Sequence, residues 1–562
     1  MDKILTPSPR GWVPTFVGMT IKKNEVALGL PLILFFALPL SASIFFALGG
    51  LFDITGWTAF LSHPQLWPAL QLALFTGLIS TGISLFVGLL IVSGLYQTEW
   101  WPRLSTQVGS MLAVPHLALA VGVSFLIMPS GFIARAIAVF AGWAVPPNWV
   151  TTHDPYGVAL VTCLVIKETP FLIWILASVL NHEDVQRDLA GQRAVALSLG
   201  HNMTSIWLRV FLPQILPKLL WPVFVVFTYA VTVVDMALVI GPTQPPTLAI
   251  IVWTDINDAE VLNNARGGVG AIFLSLAIAL AALFVWSIGK MLAARRKWLT
   301  VGPSFKTRPR LYLAPILILK FFAIYALAIA TLVLLSFAPL WPFPQLWPQT
   351  LNATAWLRVW SNPSALITSL ALAFATTAPG LTLIVAWMES QPKAHDKIVL
   401  VLSATALGLP AILVSLGQYR AFLHVGLTGT VAGLFLAHLI PVTAYMFIVL
   451  AGPYRSFDPR WRSSASGLLA SFPRFLWSIK MPLLKAPLLA ASAIGFAVCF
   501  SQYVPAQLIS AGRYSTLPME AVTLTSGTNR PLTAAFTLLL MVPPLLAFVA
   551  AAYFGRSRWR AA

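Results

Sequence analysis

The amino-acid sequence predicts an all-α membrane protein with twelve transmembrane helices, arranged as two parallel six-helix repeats. Three observations lead to this fold class. Hydrophobic residues occupy 58% of the 562 positions, charged residues occupy only 9%, and the mean hydropathy is +0.84. Apolar runs of about 20 residues, enough to cross a bilayer, recur along the chain. Short patterns of the first half return in the second half at nearly constant spacing. A water-soluble multidomain enzyme is therefore disfavoured.

The apolar runs predict six spans in each half of the chain. The predicted spans of the first half are residues 26–50, 68–95, 107–128, 157–180, 218–241 and 267–289. Those of the second half are 312–338, 363–388, 397–418, 428–451, 486–510 and 532–554. This gives an N-terminal segment 1–25, a first repeat 26–290, a basic linker 291–311, a second repeat 312–555 and a basic tail 556–562. Residues 9–20 resemble a translated intergenic repeat, so Met19 is an alternative start to Met1, and the part of segment 1–25 before Met19 would then not be native.

The distribution of Lys and Arg predicts the orientation of the chain in the membrane. Of 35 such residues, 27 fall on the side that holds both termini and six on the opposite side. Cytoplasmic loops of membrane proteins retain positive charge, so both termini are predicted to be cytoplasmic. The same rule explains the formal net charge of +18 without nucleic acid as a partner.

A matched pair of motifs indicates the internal repeat. Pro115 and Gly122 in the third predicted span recur as Pro410 and Gly417 in the ninth, at an offset of 295 residues. Each half has an even number of spans, so the repeats are parallel copies related by an axis along the membrane normal. A drop in the offset further on places an extra stretch of the first half near residues 130–156, on the outer side.

Two long cytoplasmic loops carry the clearest functional pattern. In each, an apolar residue recurs at i, i+3, i+4 and i+7, which is one face of a short helix. The first loop has Met203, Ile206, Trp207 and Val210 after Asn202 and before Pro213; the second, 269 positions on, has Phe472, Phe475, Leu476 and Ile479 after Ser471 and before Pro482. Asn and Ser favour the N-cap position, and we expect each proline to end its helix.

Periodicity alone leaves two interpretations of these helices open. A two-turn amphipathic helix is too short to be stable by itself and needs a surface for its apolar stripe. That surface is either a groove on a partner protein or the inner leaflet of the membrane. The presence of two copies at matching positions favours a partner with two equivalent grooves.

These loops resemble the cytoplasmic signature of permeases from binding-protein-dependent ABC importers. That signature is Glu-Ala-Ala, three residues, Gly, and a hydrophobic segment that ends in Leu-Pro. The matching residues are Ala194-Val195-Ala196, Gly200 and Leu212-Pro213 in the first loop, and Ser463-Ser464-Ala465, Leu469 and Met481-Pro482 in the second. The opening Glu is missing from both loops and the Gly from the second. From about residue 26 to 554 the chain resembles the fused two-domain permeases of iron(III), thiamine and putrescine importers and the YnjC-like permeases.

The resemblance implies a type I ABC importer permease in a bacterial inner membrane, with several partners. The loop helices would dock on two ATP-binding cassette subunits, which bind and hydrolyse ATP and rock the two halves between inward- and outward-open states. A periplasmic solute-binding protein would deliver a small-molecule or ion substrate. The eight apolar loop residues given above would be the ATPase contacts, together with Ala194, Ala196, Gly200, Pro213, Ala465 and Pro482.

Several ionisable residues lie within predicted spans, where a charge is costly and needs a partner. Lys167 and Glu168 lie near the middle of the fourth span, beside Pro170. They either line the substrate path or form structural ion pairs with another span, and the sequence leaves both open. Asp235, in the outer part of the fifth span, is a further candidate for the path. For His116 and His438 we favour simple contacts between helices.

The chain has no motif for catalysis of its own. The only Lys followed by Ser or Thr is Lys306-Thr307, and no glycine loop precedes it, so the chain is not expected to bind ATP directly. An HExxH motif is absent, and neither a metal site nor catalytic residues are predicted. The main alternative function is a twelve-span secondary transporter driven by an ion gradient, whose topology would be the same. The identity of the substrate does not follow from the sequence.

Overall fold

The structure is a computed structural model that describes residues 23–294, 313–465 and 471–556. Ten helices in this part of the chain are long and apolar enough to cross a membrane. Two bent helix pairs raise the number to twelve if each pair is one span. The predicted all-α membrane fold is therefore confirmed, and the order of helices in the two halves is consistent with the predicted repeats. The predicted segment 1–25, the linker 291–311 and the tail 556–562 lie largely outside the described residues.

The helices of the first half begin at residue 23 and end at residue 294. They are α1 (Lys23–Leu48), α2 (Ile54–Leu61), α3 (Leu66–Leu95), α4 (Trp101–Leu112), α5 (His116–Ile127), α6 (Phe132–Ala141), α7 (Val158–Leu180), α8 (Glu183–Ser198), α9 (Met203–Thr232), α10 (Asp235–Ile240), α11 (Leu248–Ile256) and α12 (Val261–Ala294). Helix α6 lies in the extra stretch predicted at residues 130–156.

The second half repeats this order with small differences. Its helices are α13 (Leu313–Phe337), α14 (Thr354–Ser361), α15 (Ser364–Ser390), α16 (Asp396–Gly408), α17 (Ala411–His424), α18 (Val431–Arg455), α19 (Arg460–Ala465), α20 (Phe472–Leu483), α21 (Lys485–Phe500), α22 (Val504–Ser510), α23 (Leu517–Thr525) and α24 (Arg530–Phe554). We call the side that carries α8, α19 and the starts of α9 and α20 the loop side.

Four predicted spans are broken where the sequence predicts continuous helices. The third span breaks between α4 and α5 before Pro115, and the ninth bends by 103° between α16 and α17 before Pro410. A proline lacks the N–H for the helix ladder and disfavours helical backbone at the preceding residue. The fifth span breaks at Val233–Val234 and the eleventh at residues 501–503. Helices α11 and α23, which follow these breaks, are absent from the prediction.

The first helix of each half packs against the other half. Helix α1 packs along α17 and α15, and α13 packs along α3 and α5. The crossings occur at the two repeated glycines. A Cβ on Gly417 would lie 1.7 Å from the Ser43 backbone oxygen of α1, and one on Gly122 would lie 3.1 Å from the Ala328 Cβ of α13. The glycines of the sequence motif are therefore points where the two halves approach closely.

Candidate functional site

A cavity of about 300 Å³ lies between the two halves of the molecule. Residues from all four helix breaks line it: Val114, Val233, Leu409 and Ser501. Broken helices leave backbone groups without intrahelical partners, and such backbone is tolerated at membrane depth only where protein or a cavity surrounds it. The breaks therefore explain both the position of the cavity and its partly polar wall.

Lys167 lies on the cavity wall and is bound to the end of α4. Its Nζ donates hydrogen bonds to the carbonyl oxygens of Met111 and Leu112, each at 3.3 Å, and to that of Val114. The last carbonyls of a helix have no partner within the helix, and a basic side chain can satisfy them. Lys167 thus binds backbone carbonyl oxygens of the broken third span. One of the two sequence-based interpretations is instead an ion pair with another span.

Glu168 pairs with a residue that sequence analysis interprets as a simple helix contact. Its Oε1 lies 3.0 Å from Nε2 of His116, at the start of α5. The His116 ring lies 4.6 Å from the Tyr229 ring, and all three side chains line the cavity. The sequence feature that could have identified His116 is its position directly after Pro115. It is the first residue of α5 after the helix break, and the break borders the cavity.

Asp235 begins α10 and lines the same cavity as Lys167 and Glu168. It is buried in the protein and lines the cavity together with Tyr229. Among the described residues, no cationic side chain lies within ion-pair distance of its carboxylate. Pro170 is buried inside α7 and does not line the cavity. The structure thus brings together three of the four residues predicted for the substrate path.

The second half contributes neutral polar groups to the cavity. They are Ser415, Gln418, Tyr445, Ser501, Gln502 and Tyr503, none of which the sequence analysis selects. His438, at the position that corresponds to Lys167, is buried and its Nδ1 lies 2.8 Å from the Leu434 carbonyl oxygen of its own helix. All four ionisable residues considered above for the cavity, His116, Lys167, Glu168 and Asp235, belong to the first half. In the described part of the chain, no group of three or more His, Cys, Asp or Glu could hold a metal ion.

The first loop helix begins as the sequence predicts. Gly200 adopts a left-handed conformation with φ +80°, directly after α8. Its N–H bonds to the Leu197 oxygen, and the N–H of His201 bonds to the Ala196 oxygen, which is the Schellman arrangement of a helix end. The Asn202 side chain then accepts a hydrogen bond of 2.9 Å from the Ser205 N–H, so the predicted N-cap is confirmed.

The prediction that Pro213 ends the loop helix is wrong. Helix α9 continues through Pro213 to Thr232. A π-helical turn at Trp207–Phe211 precedes the proline and widens the backbone, which relieves the clash between the proline ring and the preceding turn. In the second half a π-helical turn at Leu476–Lys480 also precedes Pro482, but α20 ends at Leu483 and the chain bends by 77°.

The two loop helices share one pattern of exposure. Met203 and its counterpart Phe472 are 37% and 39% exposed, and Leu208 and its counterpart Trp477 are 38% and 72% exposed. The residues between them turn inward, because Ile206, Trp207 and Phe475 are buried. Each loop helix therefore exposes two apolar side chains five positions apart, and part of the predicted stripe packs on the chain itself.

Aromatic contacts hold the buried part of the first loop helix. The Trp207 ring lies 6.1 Å from Tyr96 and 5.8 Å from Phe211. In the second loop helix, Phe475 lies 6.4 Å from Phe457. Of the other predicted loop residues, Ala196 and Ala465 are buried, and Val210, Pro213, Leu476 and Ile479 are partly buried. Ala194 and Pro482 are exposed. Leu469 lies outside the described residues.

Two halves that enclose a cavity within a helical membrane fold are typical of membrane permeases. Over 506 residues the chain is 29% identical to the inner membrane ABC transporter permease protein YnjC of Escherichia coli (strain K12). The match covers 90% of this chain and 91% of the relative. No family model matches the chain. The similarity confirms the predicted resemblance to ABC transporter permeases and supports a permease subunit of the inner membrane.

Proposed function

We propose that this chain is the fused permease subunit of an ABC importer. Its two halves enclose the solute path, and its two loop helices receive the movement of two separate ATP-binding cassette subunits. The observation that carries this proposal is the exposed apolar pair found at matching positions of both loop helices. A partner with two equivalent grooves accounts for two exposed apolar residues at matching positions, and an amphipathic helix in a groove is a common mode of recognition.

The orientation and the other partners follow from this assignment. The loop side is cytoplasmic, both termini are cytoplasmic, and a periplasmic solute-binding protein meets the opposite side. ATP binds to the partner subunits, and this chain binds no cofactor. The solute passes through the central cavity, where Glu168 and Asp235 face it, while Lys167 fixes the broken third span.

The burial pattern changes which loop residues we expect to touch the ATPase. Met203, Leu208, Phe472 and Trp477 are the primary contacts, because their side chains are available without any change in the permease. The buried residues Ile206, Trp207 and Phe475 pack the loop helices against the rest of the chain. At the edge of the ATPase contact lie Val210, Leu476 and Ile479.

The test is a double variant in the complete complex. Leu208→Ala combined with Trp477→Ala should lower transport-coupled ATP hydrolysis at least about tenfold, since buried aromatic and apolar anchors dominate such interfaces. ATP hydrolysis and uptake are measured in proteoliposomes that contain the chain with its co-purifying subunits. Trp347→Ala is the matched control, because Trp347 is 59% exposed but lies on the opposite side.

A different result would overturn the proposal. Full transport-coupled ATP hydrolysis in the double variant would mean that Leu208 and Trp477 do not transmit the movement of the ATPase subunits. Uptake driven by an ion gradient, with no ATPase attached to the purified chain, would favour the secondary transporter, which the similarity does not support.

A further inference from the structure

A cluster of charged and aromatic side chains attaches the second loop helix to the rest of its half. Lys480, near the end of α20, lies 2.5 Å from the Glu389 Oε1 of α15. The two side chains are only 14% and 15% exposed. The Tyr454 hydroxyl of α18 donates a hydrogen bond to the same carboxylate oxygen, and the Lys480 Nζ lies 4.3 Å from the centre of the Tyr454 ring. Three helices therefore meet at one largely buried ion pair.

A second ion pair lies beside this cluster and joins it to α16. Arg455 binds both carboxylate oxygens of Asp396, the first residue of α16, at 2.7 and 2.8 Å. Its guanidinium also donates to the carbonyl oxygens of Met388 and Gln391, which flank Glu389. The Trp387 indole donates to Asp396 as well, at 3.0 Å. The start of α16 is thus fixed to the ends of α15 and α18.

Helix α16 leads from this ion pair directly to the cavity. It ends at Gly408, and Ala406, Leu407 and Leu409 line the cavity at the break before Pro410. A continuous series of contacts therefore connects the second loop helix, through two ion pairs and one rigid helix, to the wall of the solute path.

The first half is built differently at the same place. Phe211 occupies the position that corresponds to Lys480, and it packs against Tyr96 with a centroid distance of 6.0 Å. Tyr96 also contacts Trp101 at 5.1 Å. Ring contacts of this kind tolerate small displacements, whereas separating a buried ion pair leaves two uncompensated charges.

We propose that Lys480, Glu389, Tyr454, Arg455 and Asp396 form a charged clamp that transmits displacement of the second loop helix to α16 and the cavity. At the corresponding position the first loop helix instead has Phe211, which is attached through aromatic contacts. The two ATPase-facing loops are therefore mechanically unequal. This inference rests on the proposed function, because it assumes that the loop helices are moved by a partner.

The first experiment measures the attachment without any partner. Spin labels are placed at Trp477→Cys on α20 and Ile398→Cys on α16, and the distance distribution is measured in the chain embedded in nanodiscs. The native Cys163 and Cys499 are buried, so the labels report the introduced sites. Lys480→Met or Glu389→Gln alone leaves one uncompensated charge, and each should broaden the distribution.

The double variant Lys480→Met with Glu389→Gln separates the clamp from a general effect on folding. It has no uncompensated charge, because both charged groups are removed. The introduced methionine can pack on the Tyr454 ring, and the introduced glutamine can still accept the tyrosine hydrogen bond. It should therefore return the distribution close to its original width. Arg460→Gln is the control, because Arg460 and Asp458 form an exposed ion pair on the same side.

The second experiment measures coupling in the complete complex. Each single variant should lower transport-coupled ATP hydrolysis by about tenfold, and the double variant should recover most of it. Narrow distributions in the single variants, or no recovery in the double variant, would overturn the clamp. Failure of the Leu208 and Trp477 double variant to uncouple would instead overturn the proposed function, so the two failures are distinguishable.

Discussion

The two halves of the molecule share their helix order and their breaks, but they differ in the side chains that line the cavity and in the contacts that hold the loop helix. In the first half, His116, Lys167, Glu168 and Asp235 surround the cavity, and aromatic rings hold the loop helix. In the second half, neutral side chains face the cavity, and a largely buried ion pair holds the loop helix.

This difference separates what the repeat determines from what it leaves free. Prolines and glycines at matching positions set the backbone of both halves, because they decide where helices break and cross. The side chains that fill the resulting spaces differ between the halves. The solute therefore meets an asymmetric wall, and the loop helices are attached in two different ways.

The largest expected effect is on the free energy of unfolding, at the cavity side chains of the first half. Lys167→Met leaves the buried carbonyls of Met111, Leu112 and Val114 without their donor and should lower the free energy of unfolding by about 4 kcal/mol. His438→Leu, at the corresponding position, removes one contact to its own helix and should cost about 1 kcal/mol. Unfolding in mixed micelles, followed by tryptophan fluorescence, measures both. Equal losses of unfolding free energy in the two variants would refute the difference between the two halves.

The next effect compares the two helix crossings. Gly417→Ala forces α1 away from α17 and should cost about 3 kcal/mol, whereas the space at Gly122 is larger and Gly122→Ala should cost about 1 kcal/mol. The same unfolding assay applies. A larger loss at Gly122 would contradict the close contact with Ser43.

A third substitution sharpens the comparison at the solute path. Asp235→Asn removes a negative charge at the cavity and should lower solute-stimulated ATP hydrolysis of the complex about tenfold, with stability nearly unchanged. Ser501→Ala, at the cavity wall of the second half, serves as the control and should have little effect. Normal solute-stimulated ATP hydrolysis in the Asp235→Asn variant would mean that Asp235 does not contribute to the solute path.

The smallest effect concerns the two N-caps. Asn202→Ala removes the bond to the Ser205 N–H and should cost about 1 kcal/mol of local helix stability. Ser471 makes no capping bond with its side chain, so Ser471→Ala should change nothing. Hydrogen exchange of the amides in the first turn of each helix measures the difference, and equal changes would count against it.

The sequence predicts the fold well where the signal is local. Long apolar runs mark most spans to within a few residues, and Asn202 marks the start of the first loop helix because its capping chemistry is local. The breaks escape prediction although Pro115 and Pro410 stand out as a matched pair, because hydropathy responds to composition and not to backbone geometry.

The candidate site is only partly predictable for a different reason. Lys167, Glu168 and Asp235 stand out because a charge within a span is rare. The partners of Lys167 are backbone carbonyls, which carry no sequence signal, and neutral residues such as Gln418 and Tyr445 resemble any other polar contact. The apolar period of the loop helices is clear, but it does not distinguish a stripe that faces a partner from one that packs on its own chain.

The exchange of α1 and α13 between the halves has a consequence for how the protein is made. During synthesis α1 leaves the ribosome first, yet the helices that cover it belong to the second half and are translated much later. The first half therefore cannot complete its packing during its own insertion, and it finishes maturation only once helices of the second half have entered the bilayer.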